Sequence, residues 1–179
     1  MTHLSILASP DVIAARDAFW PDEAGCAAMA ADLAHALQPG LRQGGSVVIE
    51  LHGTLGAGKT TFTRHLLRAL GVSGRIKSPS YAVVEPHELP DMAIHHFDFY
   101  RFNDPQEWED AGFRDLFGAP GLKLVEWPDK AHGLLPTPDL RLHIQPQDET
   151  RRHVRLQACT PRGETLLSSL PTTGEVLHG

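Results

Sequence analysis

A run of glycines followed by a lysine and a threonine is the part of this sequence that most clearly indicates a chemistry. Residues 53–60 read GTLGAGKT, with glycines, a lysine and a hydroxyl at the spacing of a phosphate-binding loop. Glycines allow successive backbone N–H groups to face one anion, because no Cβ obstructs the turn. In such a loop the ammonium of Lys59 reaches the β- and γ-phosphates of a nucleotide, and the hydroxyl of Thr60 binds Mg²⁺.

The segments on both sides of this loop have the patterns that a phosphate-binding loop requires. Residues 46–51 form a short β-branched run that predicts a buried strand, and residues 61–70 carry apolar side chains at helical spacing up to Gly71. An incidental glycine-rich turn is the alternative, and the flanking strand and helix disfavour it. We therefore expect the phosphates to be surrounded by Gly53, Leu55, Gly56, Ala57, Gly58, Lys59, Thr60 and Thr61.

Two further runs end on acidic residues that could bind the metal. Residues 94–98 and 122–126 are strand-like, and they finish with Asp98 and Glu126. Carboxylates at strand ends help to hold Mg²⁺ in P-loop NTPases. Taken in isolation, Asp98 could equally form a salt bridge with Arg101, and Glu126 is just as ambiguous. The hydroxyls in residues 78–80 lie where P-loop enzymes often sense the γ-phosphate, although an ordinary Ser-Pro turn also explains them.

The remaining elements complete an α/β pattern. Residues 23–37 predict a helix that Pro39-Gly40 ends, residues 81–85 and 94–102 predict an antiparallel hairpin, and residues 139–145 and 153–159 predict two more strands. Residues 1–21 show no clear period and predict a loosely packed N-terminal segment. We therefore expect residues 1–179 to form a single P-loop NTPase-like ATPase domain of the α/β class, with a mixed central β-sheet flanked by helices.

The composition restricts the class of protein further. The 179 residues contain 16 Lys and Arg against 22 Asp and Glu, and a formal charge of −6 argues against a wide basic face for nucleic acid. Cys26 and Cys159 suit neither a metal site nor a disulfide framework, so we expect two buried thiols. No apolar run approaches the length of a membrane span, which predicts a cytoplasmic protein without membrane contact.

Several blocks of residues together resemble the TsaE (YjeE) family, bacterial ATPases required for making threonylcarbamoyladenosine in tRNA. Only the phosphate-binding loop is specific by itself, but the blocks occur in the family's order between residues 53 and 127. They are residues 55–62 with the sequence LGAGKTTF, 78–81 with SPSY, 96–101 with HFDFYR, Asp104-Pro105 followed by Gly112, and 124–127 with LVEW.

The resemblance implies roles for the residues that would surround the phosphates and the metal. Lys59 would neutralise phosphate charge, and Thr60 would bind Mg²⁺. Asp98 would occupy the Walker-B-like position, while Glu126 would lie at the metal and the attacking water. Trp127 would pack beside the site.

The resemblance is looser at the edges of the site. Ser80 stands where the switch-like loop of the family has a threonine, and it keeps the hydroxyl. Asp22 and Glu23 match the start of a helix that lies near the adenine in the family, and Arg152 is a weaker match to the same region. Thr54 is a departure, because the family usually has an acidic residue directly after the first glycine of the loop. A threonine cannot form the ion pair of that acid or act as a carboxylate, and the phosphate cradle does not need one.

The function implied by the resemblance is Mg²⁺-dependent ATP hydrolysis that supports threonylcarbamoyl transfer by TsaD and TsaB. Contact with tRNA would then be indirect, through the complex. Two alternatives stay open on the residues alone, a P-loop small-molecule kinase and a slow nucleotide-dependent binding module. A GTPase would need an Asn-Lys-x-Asp segment, and the only asparagine, Asn103, is followed by Asp104.

Overall fold

The computed structural model describes residues 11–79 and 83–171, in which helices flank both faces of one seven-stranded sheet. The strands are β1 Ala14–Trp20, β2 Ser46–His52, β3 Val84–Leu89, β4 Met92–Asp98, β5 Gly121–Glu126, β6 Leu140–Pro146 and β7 Arg152–Ala158. The helices are α1 Glu23–Arg42, α2 Lys59–Leu70, α3 Pro105–Asp110, α4 Phe113–Gly118 and α5 Pro161–Ser169, with a 3₁₀ helix at Pro128–Ala131. The predicted α/β class with a mixed central sheet is confirmed.

The order of the strands places the parallel part of the sheet at its centre. The order is β1-β7-β6-β2-β5-β4-β3, and β2 is parallel to both β5 and β6 while β4 is parallel to β5. The outer pairs β1/β7, β6/β7 and β3/β4 are antiparallel. The carboxyl ends of β2, β4 and β5 therefore meet at one edge, where α/β proteins commonly bind ligands.

Two apolar cores lie on opposite faces of the sheet. On one face α1, α2 and α5 pack on the alternate side chains of the central strands, and the apolar stripe of α2 is fully buried there. On the other face a cluster of aromatic rings fills the space beneath α3 and α4. Its rings belong to Phe97, Phe99, Phe102, Trp108, Phe113 and Phe117.

The prediction of a loosely packed segment at residues 1–21 is wrong for residues 14–20, which form β1. This strand pairs with β7 along its whole length, and Ala18 and Trp20 reach the core. The ring of Trp20 stacks on Phe62 of α2 at 5.5 Å. The alternation of apolar and polar residues is hard to see in the sequence, because a small alanine and Arg16 take inward-facing positions. Arg16 Nη1 donates to the Leu170 carbonyl oxygen. Residues 1–10 lie outside the described residues.

Two prolines did not end the elements that contain them. Helix α1 continues through Pro39-Gly40 to Arg42. Burial of Leu41 in the core offsets the loss of the backbone hydrogen bond that Pro39 cannot donate. Strand β3 runs through Pro86, which an edge strand tolerates, so the hairpin turn lies at Pro90-Asp91 instead. Within the described ranges no helix, α1 included, is both long and apolar enough to cross a membrane.

Candidate phosphate-binding site

The loop between β2 and α2 has a backbone that its glycines make possible. Gly56 and Gly58 have φ angles of 79° and 113°, in the left-handed region that side chains disfavour. At Gly53 a Cβ would lie 2.8 Å from the carbonyl oxygen of Ile144 and 2.9 Å from the Cβ of Ala57. The N–H of Ala57 closes the turn by donating to the Thr54 carbonyl oxygen at 3.0 Å. The loop is therefore compact, and it leads directly into the N-terminus of α2.

The lysine of the loop is buried between the loop and an indole ring. Lys59 Nζ donates to the carbonyl oxygen of Gly53 at 2.5 Å and lies 3.5 Å from the ring centroid of Trp127. Trp127 itself has a left-handed backbone, with a φ of 55°. Burial lowers the pKa of Lys59, and the nearby carboxylates of Glu126, Asp98 and Asp129 oppose that shift. The ammonium is thus held by a carbonyl, a ring face and acidic neighbours.

The two acids that end β4 and β5 lie side by side. Asp98 at the end of β4 is paired in register with Glu126 at the end of β5. The hydroxyl of Thr60 donates to Glu126 Oε1 at 3.1 Å, and the N–H of Tyr100 donates to Asp98 Oδ1 at 2.9 Å. Burial raises the pKa of Asp98; the hydrogen bond from Tyr100 opposes this rise, and the charge of Glu126 adds to it. Carboxylate and hydroxyl oxygens are a donor set that suits Mg²⁺.

A cavity of about 250 Å³ brings these groups together. It contains every residue predicted to surround the phosphates except Gly53, whose carbonyl oxygen holds Lys59 from behind. Tyr100 also lines it, with its ring 5.0 Å from that of Trp127, and the sequence analysis assigned it no role. The lining residues are Leu55, Gly56, Ala57, Gly58, Lys59, Thr60, Thr61, Asp98, Tyr100, Glu126 and Trp127.

A second cavity, of about 270 Å³, adjoins the first through Ala57, Gly58 and Thr61. Asp22, Glu23 and Arg152 all line it, so the structure places the three loosely matched residues beside the loop. Its remaining lining residues are Trp20, Cys26, Glu149 and Thr150.

The three loosely matched residues have partners of their own. Arg152 Nε donates to the Ala57 carbonyl oxygen at 2.8 Å, which ties β7 to the phosphate-binding loop. Asp22 Oδ1 accepts from the N–H of Gly25 and caps α1, while Glu23 Oε1 lies 3.0 Å from the imidazole of His65. Ser80, the residue of the switch-like loop, lies outside the described residues.

A buried histidine contacts Glu126 and was not predicted as part of the site. His96 Nε2 lies 2.5 Å from Glu126 Oε2, and the ring is 1% exposed. The sequence predicts that His95 and His96 face opposite sides of their strand, and the structure confirms this, since His95 packs toward Phe97 in the aromatic core. The available signal was the position of His96 two residues before Asp98, which puts both on one face of β4.

Comparisons with known proteins identify the family of the chain. A family model described as "Threonylcarbamoyl adenosine biosynthesis protein TsaE" matches residues 20–154. The tRNA threonylcarbamoyladenosine biosynthesis protein TsaE of Haemophilus influenzae is 40% identical over 124 residues, which are 69% of this chain and 78% of that protein. The protein of the same description from Bacillus subtilis is 33% identical over 123 residues, covering 69% of this chain and 77% of the relative.

The fold has a counterpart among solved structures. The crystal structure of Bacillus subtilis YdiB superposes with a TM-score of 0.67 and 25% sequence identity, covering 87% of this chain and 93% of that one. The central parallel strands and the phosphate-binding loop give the chain the P-loop NTPase fold. With a family model matched over most of its length and relatives at 33–40% identity, this chain belongs to the TsaE family of threonylcarbamoyl adenosine biosynthesis proteins.

Proposed function

We propose that this chain is a Mg²⁺-dependent ATPase that supports threonylcarbamoyl modification of the tRNA adenosine next to the anticodon, together with TsaB and TsaD. The observation that carries the proposal is the meeting of Lys59, Thr60, Asp98 and Glu126 in one cavity at the phosphate-binding loop. Membership of the family supplies the tRNA pathway. A net charge of −6 supports contact with tRNA through partners rather than by the chain alone.

The nucleotide would occupy both cavities. Its phosphates would lie in the first cavity, where the backbone N–H groups of the loop and the ammonium of Lys59 bind anions. The adenosine would extend into the second cavity, between Arg152 on one side and Asp22 and Glu23 on the other. Trp127 would pack against the phosphate end, where its ring already contacts Lys59.

The oxygen donors of Thr60, Glu126 and Asp98 would hold Mg²⁺, since these hydroxyl and carboxylate groups line the same cavity. When bound, the ion neutralises part of the negative charge on the phosphate oxygens. Thr60 and Glu126 are already joined by a hydrogen bond, so the hydroxyl and the carboxylate have a fixed relative position. Fixing such donors in advance lowers the cost of ordering them in the transition state.

Hydrolysis would use a water molecule that Glu126 or Asp98 orients in line with the γ-phosphorus. The oxygen of the water forms a bond to phosphorus while the bond to the bridging oxygen breaks, which gives ADP and phosphate. Lys59 would stabilise the charge that develops on the phosphate oxygens. The hydroxyl of Ser80 would sense the γ-phosphate. Loss of the γ-phosphate on hydrolysis would then change the conformation of the loop, and this change would signal to the partner proteins.

The proposal is tested by measuring phosphate release from ATP and from GTP, by the chain alone and with TsaB and TsaD. We expect hydrolysis that is selective for ATP and that increases when both partners are present. Lys59→Ala should abolish it, because the phosphate charge loses its buried cation. Arg42→Ala is the matched control, since this exposed cation lies at the far end of α1 and pairs with Asp91.

Other outcomes would favour the remaining classes of P-loop protein. Normal ATPase activity in Lys59→Ala would contradict the phosphate site itself. Transfer of phosphate to an added small molecule instead of water would identify a kinase. Tight ATP binding with no turnover, alone or with the partners, would identify a nucleotide-dependent binding module.

A further inference from the structure

The carboxylate of Glu126 is held from two sides, by one side chain from a helix and one from a neighbouring strand. On one side the hydroxyl of Thr60, in the first turn of α2, donates to Oε1 at 3.1 Å. On the other side the imidazole of His96, on β4, lies with Nε2 2.5 Å from Oε2. Both side chains of the His96–Glu126 pair are almost fully buried, at 1% and 3% exposed.

The chemistry of the two groups determines the direction of the hydrogen bond. When Glu126 is ionised, as a metal-binding carboxylate is, both of its oxygens can only accept, and His96 Nε2 then carries the hydrogen and donates it to Oε2. The other ring nitrogen, Nδ1, is buried and has no hydrogen-bond partner among the residues that the structure describes. The contact with Glu126 is therefore the polar interaction by which this buried ring is oriented.

His96 is placed to act on Glu126 and not on the nucleotide. It is paired with Leu124 in the register of β4 and β5, two residues before the pair Asp98 and Glu126 at the carboxyl ends of the strands. The apolar neighbours on the same face, Ile94 and Leu122, belong to the core beneath α1 and α2. His96 does not line the phosphate cavity, so its hydrogen bond to Glu126 is its direct contact with a residue that does.

We propose that His96 is the positioning residue of Glu126, and this inference rests on the proposed function. Its Nε2–H holds Oε2, which leaves Oε1 directed at Thr60 and at the phosphate cavity. Without this donor the carboxylate would be free to rotate about its terminal bond, because a hydroxyl on one oxygen alone does not fix the plane. Groups that orient the side chains of a metal site in this way typically change affinity or activity by about 10- to 100-fold when they are removed.

Three substitutions separate the hydrogen bond from the volume of the ring. His96→Gln can place an N–H near the position of Nε2, whereas the shorter amide of His96→Asn corresponds to Nδ1 and does not reach Glu126. His96→Phe keeps a ring and removes both nitrogens. His95→Phe is the matched control, because it makes the same change at the adjacent residue, on the face of β4 that carries Phe97.

We expect His96→Asn and His96→Phe to lower kcat for ATP by about 10- to 100-fold. His96→Gln should recover most of the activity, and His95→Phe should resemble the wild type. Titration with a fluorescent ATP analogue gives a readout that is independent of turnover. The gain in affinity on adding Mg²⁺ should shrink in the Asn and Phe variants, while binding in EDTA should not change.

A double-mutant cycle with Glu126→Gln tests whether the effect passes through the carboxylate. If His96 acts by orienting Glu126, adding His96→Asn to Glu126→Gln should reduce kcat no further. A residue that merely stabilises the fold would lower the activity of both backgrounds by the same factor. Thermal unfolding of each variant, followed by circular dichroism, identifies any loss that comes from unfolded protein.

The results distinguish this role from the proposed function. An active wild type with an equally active His96→Asn variant, or equal losses in both backgrounds of the cycle, would overturn the role of His96 alone. A wild-type chain that binds no Mg²⁺-nucleotide would overturn the proposed function and the role of His96 together. A wild type that binds but does not hydrolyse ATP would contradict the ATPase, and the Mg²⁺-dependent gain in affinity would then decide the role of His96.

Discussion

Glu126 connects the phosphate-binding loop to the sheet, since its carboxylate accepts from Thr60 on one side and from His96 on the other. Glu126→Gln keeps the size of the side chain but removes its charge. We expect ATP binding in EDTA to remain and the rate of hydrolysis to fall by about 100-fold or more, because a neutral amide cannot orient and activate water as a carboxylate does. Single-turnover phosphate release and nucleotide titration measure the two effects separately. Hydrolysis at the wild-type rate would assign the catalytic carboxylate elsewhere, with Asp98 the first candidate.

Cys26 lines the second cavity as a buried free thiol. Burial is the main cause that raises the pKa of its thiol to about 12, and it also raises the pKa of Cys159. Because the thiolate is the reactive form, both residues should resist a disulfide reagent at pH 8 in the folded protein. Two thiols should react once the protein is unfolded in guanidinium chloride. Rapid modification of the folded chain would show that the thiol is more accessible than this packing allows.

At the scale of elements, Asp139 joins three parts of the fold. Its Oδ2 accepts from the N–H of Val48 in β2 at 2.8 Å, and its Oδ1 accepts from the hydroxyl of Thr160 at 2.6 Å. Thr160 in turn caps α5 by accepting from the N–H of Gly163. The carboxylate is buried at the start of β6, so one side chain aligns two strands and a helix.

Asp139→Ala should therefore lower the free energy of unfolding by about 2–4 kcal/mol, since a backbone donor and a hydroxyl lose their acceptor in the interior. Urea unfolding measured by circular dichroism gives this value. Asp32→Ala, on the exposed face of α1, is the control and should change the free energy by less than about 0.5 kcal/mol. Equal effects of the two changes would mean that Asp139 does not join these elements.

The sequence predicted the elements whose signals are local. The strands before the loop and before the two acids, and helix α2 with its glycine stop, follow from apolar periodicity and from turn residues. The edge strand β1 and the passage of α1 through Pro39 depend on partners that are distant in sequence, so local patterns could not predict them. Packing of Trp20 and Leu41 in the core outweighs the weak local signals there.

The candidate site shows the same division. Lys59, Thr60, Asp98 and Glu126 were predictable because a motif and the ends of parallel strands fix their positions. His96 and Glu126 are 30 residues apart in sequence. The position of His96 two residues before Asp98 indicates its face of β4, but the register of β4 and β5 is also needed to bring it beside Glu126. Sequence motifs and helix or strand periodicities relate residues that are close in sequence, so they could not predict this contact.

At the scale of the whole molecule, the two cores share the central strands of one sheet. Trp20 lies in the core beneath α1 and α2, and Trp108 lies in the aromatic core on the other face. Because the strands cannot lose one face and keep the other in place, we expect a single cooperative unfolding transition. This would support the proposal that the chain forms one domain.

Variants that keep a single tryptophan, Trp20 or Trp108, allow each core to be followed separately in urea. Their fluorescence transitions should coincide with each other and with the loss of circular dichroism. The comparison is made within each variant, because replacing the other two tryptophans, Trp127 among them, shifts the absolute stability. Two separated midpoints would instead show that the two faces unfold independently.

The position of Pro86 on the outermost strand has a consequence for how the chain behaves in a crowded solution. An edge strand has unpaired backbone N–H and C=O groups that can pair with a strand of another chain, and such pairing can lead to fibres. A strand that pairs with the free edge of β3 would face exposed Pro86, which has no N–H to donate, between the carboxylates of Glu85 and Glu88. We therefore expect Pro86, which the hairpin tolerates, also to oppose the pairing of another chain with β3.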